Sequence, residues 1–220
     1  MERQIISKRI GEIQDDISRL QNALYAMETA DIQRYPDNYE VLSTDAALRG
    51  EKIACRLRHL IYSSTNIKKT DYLASAANVL GINIAQCDGI IEIAMPGLLP
   101  KRKRRNSAEF LFDSLYFALD RYCDTHEIPK YRQCVVCFSH IYNRELPTRR
   151  IRDYDNLELK QILDILSSFI MEDDNGLLCD AYNTTELGDA DCTLVSIMDK
   201  NIFSDWLEKR KDCLESIVDF

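Results

Sequence analysis

The chain has 220 residues, 45% of them hydrophobic and 29% charged, with seven glycines and five prolines. That composition excludes a largely disordered chain, a collagen-like repeat and a Pro/Gly low-complexity tract. No apolar run of about 18 residues is available to span a bilayer. The net charge of −8 hides a division: residues 1–85 balance at zero, residues 100–152 carry 12 basic against 6 acidic side chains, and residues 153–220 carry 5 against 17. A basic segment beside an acid-rich one is an asymmetry that points to a charged partner. Met1–Ile10 lacks the continuous apolar centre of a secretory signal, which predicts a cytoplasmic protein without membrane association.

In chain order, Ile6, Ile10, Ile13, Ile17, Leu20, Leu24 and Met27 alternate spacings of four and three, the a/d seam of a helix that packs on another helix. Tyr35-Pro-Asp-Asn38 breaks it. A second helix is predicted from Ser43 or Thr44 to about Tyr62, and a third, Thr70 to Leu80, ends at Gly81. The expected arrangement is an antiparallel hairpin plus a short helix over residues 1–85, with self-association through the seam as the competing use of the same residues. Residues 86–220 then read β-α-β-α-β-β-α. The strands fall at 89–95, 133–142, 177–182 and 192–198, and the helices at about 107–124, 155–171 and 204–218. The last two strands are expected to form a hairpin, which makes the sheet mixed. The fold class is therefore α+β: a helical hairpin followed by a mixed-sheet domain with packed helices.

Eight cysteines are scattered through apolar stretches, as reduced thiols would be. Cys134 and Cys137 alone have ligand-like spacing, but on a strand they face opposite sides, so buried thiols are the expectation. His59, His126 and His140 stand alone and read as structural or surface residues. There is no Gly-rich phosphate loop and no nucleophile motif, which excludes the commonest small-molecule chemistries.

The informative stretch runs from Arg149 through Asp153-Tyr-Asp-Asn-Leu157 and Lys160 to Asp164, followed by Glu172-Asp-Asp-Asn175. Asp153 lies just before a predicted helix start and Asp155 can cap it, so both carboxylates can converge. The helix carries Asp173 and Asp174 to its far end, and the next strand can bring them back. Several carboxylates around one point need a cation, and an all-oxygen set favours Mg²⁺ or Mn²⁺. The alternative is an N-cap at Asp153–Asn156 and an ordinary turn at Asp173–Gly176. Lys160 likewise either pairs with Asp164 at i, i+4 or reaches toward the carboxylates to meet a phosphoryl anion.

These residues resemble the signature of the RusA-type Holliday-junction resolvases: a strand, an Arg-rich loop, Asp-x-Asp-Asn-Leu, a lysine, an aspartate, and an Asp-Asp pair opening the next strand. The likeness extends to Ile90–Pro96 with its basic loop and covers about residues 89–200. As a whole the chain also resembles an uncharacterised family carried by integrative and conjugative elements of Gram-positive bacteria. The first resemblance implies a RusA-like sheet and a dimeric, Mg²⁺- or Mn²⁺-dependent endonuclease acting on branched DNA. Asp153, Asp155 and Asp174 would be metal-binding catalytic acids, Asp173 a further metal ligand and Lys160 the catalytic lysine. Arg102, Arg104, Arg105, Arg149, Arg150 and Arg152 would contact phosphates. A factor of the same fold that binds DNA or a protein without cleaving is the alternative. The family's lysine follows the Asp-Asn-Leu motif one position earlier than Lys160 does, a rotation of about 100° on a helix.

Overall fold

A computed structural model describes residues 3–100 and 109–217 of the chain. Two compact units divide it, Met1–Lys69 and Thr70–Phe220. The expected division at 85/86 thus shifts to 69/70, because the third helix contributes Ala77 to the core of the sheet.

The first unit is an antiparallel hairpin of α1 (Arg3–Thr29) and α2 (Pro36–Ser64), with Pro36 at the first turn of α2, where its missing N–H costs nothing. The packed seam of α1 differs from the apolar spacing. Ile13 and Ala23 are buried, and the third buried residue is Asp16, whereas Ile10, Ile17 and Leu24 are 41, 46 and 50% exposed. An ion-pair group causes the shift. Lys52 Nζ donates to Asp16 Oδ1 at 2.9 Å and Arg56 Nη1 to Asp16 Oδ2 at 2.7 Å, so the carboxylate sits between two cations of α2 and α1 turns its d positions inward. The seam becomes Ile6, Arg9, Ile13, Asp16, Leu20, Ala23 and Met27.

The second unit begins with α3 (Lys69–Leu80), which stops where Gly81 takes a left-handed backbone (φ +83°) and Ile82 N–H reaches back to Ala77 O at 2.9 Å. Strands β1 (Asn83–Cys87) and β2 (Ile90–Pro96) form a hairpin closed by Asp88 and Gly89, both at positive φ. Then come α4 (Glu109–Thr125), β3 (Cys134–Asn143), α5 (Lys160–Phe169), β4 (Cys179–Gly188), β5 (Cys192–Asp199) and α6 (Phe203–Ile217). The sheet order is β1-β2-β5-β3-β4, with β3 parallel to β4 and every other pairing antiparallel. The last two strands are therefore neighbours in sequence but not in space: β5 inserts between β2 and β3. Strand β3 is the reason, since it is buried along nine of its ten residues and needs a partner on each edge.

The sheet separates two cores. On one face Ile91, Ile93, Val136, Phe138, Val195 and Ile197 meet Leu115 and Leu119 of α4 and Ile162 and Leu166 of α5. On the other, Val135, Cys137 and Met198 meet Trp206 of α6 and Phe203 beside it. Cys134 and Cys137 point into different cores, as alternation on a strand requires. Burial pushes the Cys137 thiol up to about 12, so it stays protonated. None of the described helices is long and apolar enough to cross a membrane.

Leu166 is fully buried, and Leu166→Ala is expected to lower the unfolding free energy by about 2–5 kcal/mol, read from urea denaturation at constant m-value. The hydrogen bond from Lys52, with the charges of Arg56 and Lys52 behind it, holds the Asp16 carboxyl below its usual range although burial opposes this. A depressed folded-state pKa gives stability that is complete above the unfolded value, near pH 4, and is lost as pH falls through the lower folded one. Thermal unfolding followed from pH 6 to pH 2 should show an acid limb that Asp16→Asn flattens.

Candidate functional site

The chain leaves β3 into a loop tied down at several points. Asn143 N–H donates to Asp191 Oδ1 at 2.7 Å, and Arg144 N–H to Gly188 O at 2.9 Å. A single 3-10 turn, Thr148–Arg150, follows Pro147. The three arginines of this loop predicted to contact phosphate have different fates. Arg150 pairs with Asp191 Oδ2. Arg152 donates from its backbone to the Tyr142 hydroxyl and from Nη1 to Leu99 O, both at 3.1 Å. Arg149 is exposed and has no ion pair or hydrogen bond among the described residues. Two of the three predicted phosphate contacts here thus hold the loop itself in place. Arg102, Arg104 and Arg105 lie outside the described residues.

Asp153 and Asp155 flank Tyr154 on a second 3-10 turn, Tyr154–Asn156, and both are exposed. Asp155 does not cap α5 as expected. Leu157 turns into the core and Glu158 N–H donates to Pro100 O at 3.0 Å, which draws the backbone off the helical path until Lys160. Tyr154 anchors the turn: its hydroxyl lies 3.0 Å from Thr185 Oγ1 on β4, and its ring centroid 5.5 Å from that of His140. His140 is buried, with Nε2 3.3 Å from Asn183 Oδ1 and Nδ1 without a partner among the described residues. Burial lowers its pKa, against the raising effect of Asn183, and keeps the ring neutral. Sequence reasoning missed that this histidine underlies the Asp-Tyr-Asp turn; its place inside the nine-residue buried stretch of β3 is the one signal that could have found it.

Lys160 opens α5 and donates to Asp164 Oδ1 at 2.6 Å, the i, i+4 pair. That bond, followed by the charges of Asp164, Asp174 and Glu158, raises its pKa. Asp173 is occupied within its own turn. Asp174 N–H donates to Oδ1 at 2.8 Å and Asn175 Nδ2 to Oδ2 at 2.6 Å; the Asn175 contact does most to lower its pKa. Cys134 and Cys179, in register on β3 and β4, share a hydrogen bond that together with burial pushes the Cys134 thiol strongly up.

The predicted ligands Asp153, Asp155, Asp173 and Asp174 do not form a ready-made cation centre. Among the described residues no three His, Cys, Asp or Glu side chains are grouped to hold a metal ion, and both oxygens of Asp173 already accept hydrogen bonds. As arranged, the donors do not fit a preassembled Mg²⁺ or Mn²⁺ site. Of the predicted basic residues that are described, Arg149 has no partner among the described residues and Lys160 is paired with Asp164.

The fold and these residues define an α+β protein with an exposed Asp-Tyr-Asp turn and a lysine–aspartate pair at one helix start. The chain belongs to DUF6100, a family of unknown function, which matches residues 2–220. No curated protein matches it.

Asp191 ties the loop to β5 through two bonds at once. Asp191→Ala should raise the hydrogen-exchange rate of the Asn143 amide at least about tenfold, the equivalent of one lost charged hydrogen bond worth about 1.5 kcal/mol.

Proposed function

We propose that the sheet unit engages branched DNA in the cytoplasm as a divergent relative of the RusA-type resolvases, carried by a conjugative element and acting as a divalent-ion-dependent endonuclease. The observation that carries this reading is the exposed turn that bears Asp153 and Asp155 just ahead of Lys160, the first residue of α5. A lysine held among carboxylates can exchange its partner for a phosphodiester oxygen, whose negative charge it stabilises as bonds to phosphorus rearrange. Arg149 would meet a neighbouring phosphate and give the complex part of its salt dependence.

A second reading is a DNA-binding factor that does not cleave. Two contacts favour it: Lys160 is engaged by Asp164, and Asp173 spends both oxygens on its own turn.

One assay separates the two. Four-way junction, fork and duplex DNA are incubated with the full chain and Mg²⁺ or Mn²⁺, with Asp155→Asn alongside. The endonuclease reading expects nicking of the junction that Asp155→Asn lowers at least about 100-fold while binding persists. Binding without nicking assigns the accessory role, and neither activity rejects both. In either DNA reading, Arg149→Ala should reduce the slope of log affinity against log salt by about 0.7–0.9, the loss of one phosphate contact.

A further inference from the structure

The hairpin of α1 and α2 keeps a second apolar face outside its own core. With Ile13 and Asp16 on the packed seam, Ile10, Ile17 and Leu24 fall on the heptad position just outside it, seven residues apart and 41–50% exposed. On α2 the equivalent row holds Gly50 and Leu57, the latter 42% exposed. In an antiparallel pair these two rows lie on the same side of the hairpin. The next row outward is also uncharged through its middle, with Gln14 and Gln21 on α1 and Ala47, Ala54 and Ile61 on α2. The opposite side carries Glu12, Asp15 and Arg19 on α1 and Asp45 and Lys52 on α2. One flank of a highly charged hairpin is therefore free of charge over several turns.

We propose that this flank is a homodimer interface, on which two hairpins pack face to face into a four-helix bundle about a two-fold axis at the level of Ile17. The occupant follows from the face's own symmetry. Asp16 is bracketed by Lys52 and Arg56, which sets Ile17 beside Ala54. A two-fold there places Ile17 against its copy and Ile10 against the partner's Leu24. The same operation on α2 sets Ala54 against its copy, Gly50 against the partner's Leu57, and Ala47 against the partner's Ile61. Small residues meet large ones at the two α2 pairs that flank the axis, as interdigitating helices require, and the two Ala54 side chains let the helices approach closely on it. No like charges are brought together, because the flank has none. The size also suits a second copy. A helix of 27 residues is about 40 Å long and two side by side about 20 Å wide, so the face offers about 800 Å² per partner, the usual share of a stable interface. The inference does not rest on the DNA reading, since the hairpin lies outside the stretch that resembles the resolvases.

The test is sedimentation equilibrium of the full chain at about 5–50 µM, with far-UV circular dichroism as the control for folding. The wild type should be dimeric. Ile17→Glu sets two carboxylates at the axis and should raise the dimer dissociation constant at least about 100-fold with the helical signal unchanged. Leu57→Glu, on the other helix, should do the same and decides the matter if Ile17→Glu fails to fold. Arg19→Ala, on the charged side, should leave the dimer intact. A monomeric wild type overturns the proposal, whether the face is then covered by another part of the chain or by a different protein. A dimer that survives both glutamate substitutions overturns it equally, because its contact is then elsewhere.

Discussion

Strand β3 must hide both rows of its side chains and both edges of its backbone at once. Its residues from Cys134 to Tyr142 are all buried, and an unpaired edge in that position would leave N–H and C=O groups without partners. The rest of the second unit follows from this requirement. Strand β5 arrives antiparallel on one edge and β4 parallel on the other. A parallel neighbour demands a crossover, which α5 supplies by laying Ile162 and Leu166 over one face. The opposite face is closed by Trp206 and Phe203 of α6. The same crossover fixes where the conspicuous acids go, because Asp153 and Asp155 precede it and Asp173 and Asp174 follow it.

Several of the charges near the loop after β3 are consumed within the fold. Arg150 belongs to Asp191, Arg152 to Leu99 and Tyr142, Lys160 to Asp164, and Arg144 to Asp189. A cluster of basic residues in a sequence looks like a surface for phosphates. Here Arg144, Arg150 and Arg152 are fasteners for the loop after β3, and Arg149 is the exception. The buried Asp16 plays a comparable part in the hairpin, where two cations from the facing helix decide which side of α1 turns inward.

What could be read in the amino-acid order depended on whether the signal was local. The α+β class, the three N-terminal helices, the stop at Gly81 and the opposed faces of Cys134 and Cys137 all come from short-range periodicity and backbone preference. Strand β1 was missed: the expected sheet began at residue 89, without the Asp88-Gly89 turn that pairs Asn83–Cys87 with Ile90–Ala94. The seam of α1 was legible only in part. Ile6, Ile13, Leu20 and Met27 belong to it, but a carboxylate displaced the other apolar residues, and no hydropathy count ranks an aspartate above an isoleucine. Strand order was not legible, because the insertion of β5 beside β3 is decided by tertiary pairing. Nor was the late start of α5, which depends on a carbonyl at Pro100 far back in the chain. Within the site, the Lys160–Asp164 pair was foreseeable from its i, i+4 spacing; the neutral histidine beneath Tyr154 was not.

The pairing of β2 with β5 has a consequence for synthesis. Ile91 and Ile197 are partners across the sheet, and about a hundred residues separate them along the chain. At the usual pace of translation, roughly 5–20 residues per second, the free edge of β2 waits about 5–20 s for the segment that will cover it. During that interval the nascent β1–β2 hairpin exposes Ile91, Ile93 and Met95 with no sheet to receive them, while the helical hairpin ahead of it can already close on itself. The ribosome-bound chain therefore passes through a stage with its first unit complete and its second unit open at an apolar edge, the stage at which a trigger-type chaperone would find the most to hold.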